Sequence, residues 1–181
     1  MPDCGLKCDR CGLNKMRPLT EADFSILLTE GEVTMRCDAC ERPTVWKLVL
    51  PPRPTAPAKS QSGRRRVLVI DDDKDTLRIL QLMLRPDKHT VVTADSANRA
   101  IDLLQTEDFD VIVSDIRMPG FDGRSLFRFV ALYLPDFVSR VVFLTGDHSE
   151  KTLKFLRESN CPYCFKPIQM PELQECISMV R

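Results

Sequence analysis

Two sets of side chains in this 181-residue chain have the types and spacing to do chemistry. The first is four thiols: Cys8-Asp-Arg-Cys11, followed by Gly12, and Cys37-Asp-Ala-Cys40, 25 residues further on. A Cys-x-x-Cys turn sets two thiolates on one metal ion with little strain, and two such turns complete the tetrahedron that zinc prefers. All four ligands being thiolates leaves no place for water, so the metal expected here is structural. Gly12 can take positive φ and aim amides at the sulfurs, whereas Glu41 stands where the second turn would often carry glycine. Cys4 could compete as a ligand, but Cys8 and Cys11 have the better spacing. The second set is Asp71, Asp72, Asp115, Thr145 and Lys166. Three carboxylates packed together repel, so their pKa values rise or a cation sits among them. An acid-rich, oxygen-only site with few protein ligands suits Mg²⁺, which keeps several waters and accepts phosphate oxygens. A metal, an ammonium and a hydroxyl around one carboxylate are what phosphoryl transfer to that carboxylate needs.

The second set acts together only if the chain brings it together. Short apolar runs recur at Val67–Ile70, Thr90–Thr93, Val111–Val113, Val141–Leu144 and Tyr163–Phe165. Amphipathic patterns near 74–85, 96–106, 123–133, 149–158 and 171–180 separate and follow them. Leu77, Leu80 and Leu84 share one helical face; Ala97, Ala100, Ile101 and Leu104 share another. Five repeats of strand then helix predict a parallel sheet covered by helices on both faces. The first run stops at Asp71-Asp72, the third at Asp115, the fourth at Thr145 and the fifth at Lys166-Pro167. In open α/β sheets ligands bind beyond the carboxyl ends of the strands, so these groups converge in one crevice. Asp73 and Asp75 read as a helix N-terminus, favoured there by the helix dipole.

The segments VLVIDDDKDTL, DVIVSDIRMPGFDG, VVFLTGD and YCFKPI resemble, in order, the signatures of response-regulator receiver domains, over residues 66–181. The resemblance implies a flavodoxin-like fold with strand order 2-1-3-4-5. It makes Asp115 the phosphoacceptor, Asp72 a direct Mg²⁺ ligand, and Asp71 a ligand acting mainly through metal-bound water. The backbone carbonyl of Arg117 would be a third protein ligand. Lys166 would pair with Asp115 and then with the phosphoryl group, and the Lys166–Pro167 peptide would be cis. Thr145 would bond a phosphoryl oxygen and draw its loop inward, and Tyr163 would turn in as an aromatic switch. Arg117 and Asp147 would sit at the pocket mouth, where they could tune phosphate lifetime. The resemblance also implies a bacterial two-component protein and no enzyme beyond autophosphorylation and autodephosphorylation. A sensor histidine kinase or phosphotransfer protein would donate phosphate from a phosphohistidine. No DNA-binding or enzymatic domain is expected after Arg181. Output would then pass through the receiver's fourth helix, fifth strand and fifth helix to an unidentified protein, with a phosphorylation-dependent dimer as one form. The N-terminal fifty residues resemble a zinc ribbon on the strength of their paired thiols.

Composition fits this layout. At 43% hydrophobic and 29% charged the chain reads as a soluble globular protein. No run approaches the ~18 apolar residues of a membrane span, and the N-terminus lacks signal-peptide regions. A cytoplasmic location follows, where clustered cysteines point to metal over disulfides. The net charge of zero conceals a partition: −1 over residues 1–50, +5 over 51–66 and −4 over 67–181. The Pro-rich 51–65 reads as an exposed linker, with Arg64, Arg65 and Arg66 a solvated lead-in to the first strand. In the first fifty residues Thr20 is expected to cap a short helix. Met35–Arg36 and Thr44–Leu50 are expected as strands, with Trp46 covering the metal as core. The module's −1 charge lacks the basic footprint of nucleic-acid binding. Cys161-Pro-Tyr-Cys164 and Cys176 read as packed thiols, not redox centres. Two rival functions compete. A haloacid-dehalogenase-like phosphatase would use Asp73 of DKDTL, and a zinc-ribbon nucleic-acid or protein binder would use the receiver only for docking.

Overall fold

In the C-terminal part, residues that are apolar at every position must be buried on both sides, which only a sheet covered on two faces allows. The computed structural model of the chain describes residues 3–18, 21–49, 64–87 and 89–180. The Thr20 cap, Leu50 and linker residues 51–63 lie outside the described residues, as does the side chain of Cys4. Contacts divide the chain into two units, Met1–Arg53 and Pro54–Arg181.

The N-terminal unit is built from strands β1 (Asp3–Cys8), β2 (Asn14–Pro18), β3 (Glu32–Cys37) and β4 (Arg42–Leu48), with helix α1 (Glu21–Glu30) before β3. The strands form an antiparallel sheet in the order β2-β1-β4-β3. Two of them, β1 and β2, carry no sequence signal, and the other two are longer than expected or begin earlier. Alternation is nevertheless clear once they are paired: Leu6, Cys8, Val33, Cys37 and Trp46 are buried, while Lys7, Thr34 and Lys47 face out. Trp46 is buried opposite Cys8 in the β1–β4 register, and its Nε1 donates to the Met35 carbonyl at 3.2 Å. With Leu27 of α1 these side chains make a small core, the kind that needs a metal or disulfide staple.

The C-terminal unit runs β5 (Arg66–Ile70), α2 (Lys74–Leu84), β6 (Thr90–Ala94), α3 (Ala97–Thr106), β7 (Val111–Asp115), α4 (Gly123–Tyr133), β8 (Val141–Thr145), α5 (Glu150–Ser159), β9 (Tyr163–Phe165) and α6 (Met170–Met179). A short 3₁₀ segment, Pro135–Arg140, precedes β8. The sheet is wholly parallel, in the order β6-β5-β7-β8-β9, which is the expected 2-1-3-4-5. Helix boundaries fall within a residue or so of the amphipathic patterns. On one face Leu77, Leu80 and Leu84 of α2 and Leu173 and Ile177 of α6 pack against Val67, Val69, Val113 and Leu144. On the other, Phe143 meets Phe127 and Phe155 edge-on at 5.5 and 5.2 Å. Cys164 and Cys176 belong to the first of these cores, with their sulfurs 3.0 Å apart. Burial pushes the Cys164 thiol up, which makes it a poor nucleophile.

The helix starts are set by short polar side chains. Asp73 accepts from the amides of Asp75 and Thr76; Ser96, Asp122 and Ser149 each accept from the amide three residues on. The basic lead-in is not simply solvated. Arg65 donates to the carbonyls of Ile177 and Val180 at 2.6 and 3.4 Å, satisfying the exposed end of α6. Arg66 pairs with Glu107 and lies 5.3 Å over the Phe109 ring.

Candidate functional site

Four of the five strands of the parallel sheet deliver the site's groups at their carboxyl ends. Asp71 and Asp72 follow β5, Asp115 closes β7, Thr145 closes β8, and Lys166 follows β9 with a cis bond to Pro167. Carboxylate oxygens of Asp71, Asp72 and Asp115 all lie within 4.8 Å of one another. Asp71 and Asp115 are only 1% and 4% exposed, whereas Asp72 faces solvent. Lys166 Nζ reaches Asp71 at 2.7 Å and Asp115 at 2.9 Å, so it bridges two acids where the sequence paired it with one. The remaining Asp71 oxygen accepts from the Asp73 amide at 2.9 Å, and Asp115 Oδ2 accepts from the Arg117 amide at 3.0 Å.

Burial is the main influence on Asp115 and raises its pKa; the Lys166 bond and charge offset part of that rise. Burial alone would lower Lys166, but its bonds to Asp71 and Asp115 outweigh this, and the ammonium is held above its ordinary value. One ammonium facing three carboxylates leaves a deficit of two positive charges when all are ionised. A small divalent cation with oxygen ligands meets that deficit, and Mg²⁺ has those properties.

Thr145 is fully buried, and its Oγ1 accepts from the Asp147 amide at 3.0 Å. The Asp147 carboxylate lies 3.7 Å from Arg117, and both line a cavity beside the acids. The hydrogen bond from Thr152 is the first cause, with the Ser149 amide next, of an Asp147 pKa near 2. Beside the acids is a cavity of about 630 Å³ lined in part by Asp72, Arg117, Asp147 and Lys151. Tyr163 is 40% exposed and meets Phe165 edge-on at 5.5 Å, while Phe165 stacks on His148 at 4.3 Å. The residue expected to act as a switch is therefore turned outward.

Sequence reading missed three contributors. Gly123 lets α4 start against the end of β7: a Cβ there would stand 2.2 Å from the Asp115 carbonyl oxygen and 3.0 Å from Ile116 Cα. The GFDG spelling after Asp115 was its available signal. Arg124 and Thr152 lie on helices whose pattern marks them only as polar positions, yet Arg124 Nη2 donates to Thr152 Oγ1 at 2.7 Å.

In the N-terminal unit the four sulfurs of Cys8, Cys11, Cys37 and Cys40 also lie within 4.8 Å of one another. Cys8 and Cys37 end β1 and β3, and Cys11 and Cys40 come from the turns that follow. The two turns are alike: the Gly12 amide bonds the Cys8 carbonyl at 3.0 Å, and the Glu41 amide bonds that of Cys37 at 2.8 Å. Gly12 has φ +72° and Glu41 has φ +55°, so the second turn puts a side chain in the left-handed region the first gives to glycine. A hydrogen bond with Thr44 is the main influence holding the Cys8 thiol down at about 6, while burial pushes Cys40 up to about 12. Four soft donors at these separations fit one tetrahedral zinc ion.

A parallel sheet covered on both faces, with acids, a hydroxyl and an ammonium beyond its strand ends, defines a doubly wound α/β protein with its site at the switch point. Residues 67–178 match the response regulator receiver domain family, and the chain belongs to that family. Two-component response regulator ORR26 of Oryza sativa subsp. japonica is 36% identical over 111 residues, covering 60% of this chain and 19% of that protein. For two-component response regulator ARR11 of Arabidopsis thaliana the identity is 37% over 111 residues, with coverage of 60% and 21%. The chain thus spans about a fifth of the length of these relatives. The fold is that of chemotaxis protein CheY4 of Vibrio cholerae (TM-score 0.59, 22% identity, 65% of this chain and 99% of that one). It is also that of the receiver domain of an HD domain-containing protein of Pseudomonas fluorescens Pf-5 (TM-score 0.59, 28% identity, 65% and 94%). These sequence relatives are plant proteins, so they lend no support to a bacterial source. The phosphatase alternative loses its nucleophile: Asp73 is engaged as the α2 cap. Among the described residues, no helix is long and apolar enough to cross a membrane.

Replacing Gly123 with alanine is expected to displace the Asp115 backbone and cost about 2 kcal/mol or more in urea unfolding, as overpacking against fixed backbone does.

Proposed function

We propose that this chain is a two-component response regulator whose receiver takes a phosphoryl group onto Asp115 from a phosphohistidine of a sensor kinase or phosphotransfer protein. One observation carries the reading: Lys166 bridges Asp71 and Asp115 while Asp72 completes a carboxylate trio within 4.8 Å. Asp71, Asp72, Asp115 and the Arg117 carbonyl would hold Mg²⁺, Asp71 through a water. When bound, Mg²⁺ would neutralise charge on the carboxylates and the phosphoryl oxygens. In the transfer, an Asp115 carboxylate oxygen attacks phosphorus, the P–N bond breaks, and the departing imidazole keeps the electron pair and takes up a proton. Lys166 then pairs with the phosphoryl group in place of the Asp115 carboxylate. Thr145 bonds a phosphoryl oxygen, its loop moves inward, and Tyr163 turns into the space released. Both states are in equilibrium beforehand, and differential contacts with the phosphoryl group shift the balance. The face of α5, β9 and α6 then meets an output protein or a second receiver. Autodephosphorylation by water is the return reaction, in the cytosol where the kinase acts. The Cys8–Cys11–Cys37–Cys40 cluster holds a structural zinc ion.

Incubation with acetyl phosphate and Mg²⁺ is expected to add one phosphoryl group, read as a mass gain. Asp115→Asn is expected to abolish it, and Lys166→Met to leave the site phosphorylated but poorly switched. A label that survives Asp115→Asn would overturn the assignment. For the thiol cluster, elemental analysis is expected to find one zinc per chain. Cys37→Ser is expected to lose it and unfold the N-terminal unit, seen as exposure of Trp46 to quenchers; full zinc content in that variant would contradict the ligand set.

A further inference from the structure

Thr145 closes β8, and the loop from there to α5 must move if Thr145 is to follow a phosphoryl group. It is tied back by a chain of hydrogen bonds that no receiver motif specifies. Thr145 Oγ1 accepts from the Asp147 amide at 3.0 Å, and the Asp147 carboxylate accepts from the Thr152 hydroxyl at 2.7 Å. The same Thr152 oxygen accepts from Arg124 Nη2 at 2.7 Å. The Ser149 amide and hydroxyl reach Asp147 at 2.9 and 3.1 Å, and the Arg124 guanidinium lies 3.9 Å from it.

Thr152 is fully buried, so its one hydroxyl proton has Asp147 as partner and no water to replace it. Arg124 is 17% exposed and stands 5.9 Å over the Phe155 ring; its Nε is buried with no hydrogen-bond partner among the described residues. An inward shift of Asp147 strips the buried hydroxyl of its acceptor and draws a carboxylate away from a largely desolvated guanidinium. Unpaired buried donors are costly, so both changes oppose the shift.

We infer that Arg124 and Thr152 are positioning residues that hold Asp147, and through it Thr145, in the resting arrangement, and so set how strongly the receiver responds to phosphate. The inference rests on the receiver reading above. Thr152 does not line the cavity beside the acids, and Arg124 lines it next to Asp147; the role assigned to both is exerted through Asp147. Weakening the tie lowers the cost of leaving the resting state, and any ligand that prefers the other state then binds more tightly.

The test measures the affinity of the 181-residue protein for beryllofluoride with Mg²⁺, a phosphoryl analogue, by calorimetric titration. Thr152→Val removes the hydroxyl at nearly constant shape and is expected to tighten binding by about threefold or more. Thr152→Ser restores the hydroxyl and is expected to return the affinity to that of the unaltered protein. Arg124→Met, which does not touch the buried hydroxyl, is expected to tighten binding in the same direction, and it decides the matter should Thr152→Val fail to fold. A mere loss of packing would weaken binding, so tightening with serine rescue separates positioning from general stability. Unchanged or weaker binding in both Thr152→Val and Arg124→Met, or failure of serine to rescue, overturns the inference while the receiver reading stands. No binding by the unaltered protein overturns both.

Discussion

A single ammonium, Lys166 Nζ, stands 2.7 Å from Asp71 and 2.9 Å from Asp115, the three side chains coming from the carboxyl ends of β9, β5 and β7. The arrangement is electrostatically unbalanced, because three carboxylates share one positive charge in a mostly buried pocket. It persists because the sheet fixes the backbones. β5, β7 and β8 are buried along nearly their whole length, and their register leaves little freedom for the residues at their ends. The fold holds like charges together, and the resulting charge imbalance makes the pocket receptive to a divalent cation.

Around that pocket, backbone closeness matters as much as charge. Gly123 starts α4 directly against the Asp115 carbonyl, and Asp122 caps the same helix. Asp73 joins the first acids to α2: its amide holds Asp71 while its side chain holds the helix start. A further link, from Thr145 through Asp147 to Thr152 and Arg124, ties the loop after β8 to α5 and α4. Asp115, Lys166 and the loop after β8 are therefore held by short hydrogen bonds and not by proximity alone. In the N-terminal unit the same economy appears in the two thiol turns, which reuse one backbone bond and one left-handed residue.

The parallel sheet was legible because its signal is redundant. Five apolar runs alternate with five amphipathic stretches, and the acids, hydroxyl and lysine fall at consistent strand ends. Other features lacked such redundancy. β1 and β2, with sequences such as Asn14-Lys-Met-Arg-Pro18, show too little alternation to register before pairing partners are known. Arg65 and Arg66 looked like a solvated charge run because nothing local reveals the α6 carbonyls or the Phe109 ring. Thr152 is fully buried in a helix whose other polar residues are solvated, and spacing alone cannot tell these apart. Tyr163 was legible as a position but not as an orientation, which depends on Phe165 beside it.

The most direct measurement of the charge imbalance is the difference in urea-unfolding free energy between the unaltered protein and Asp115→Asn, followed against pH with and without Mg²⁺. Burial raises Asp115 above its ordinary value of 3.8 in the folded state. Its contribution to stability is therefore fully present below 3.8 and is lost as pH rises through the folded value. Without metal, the account expects the unaltered protein to lose ground to Asp115→Asn across that rise, and saturating Mg²⁺ to restore it more than it helps the variant. A difference that stays flat with pH, or Mg²⁺ stabilising both proteins equally, would contradict it.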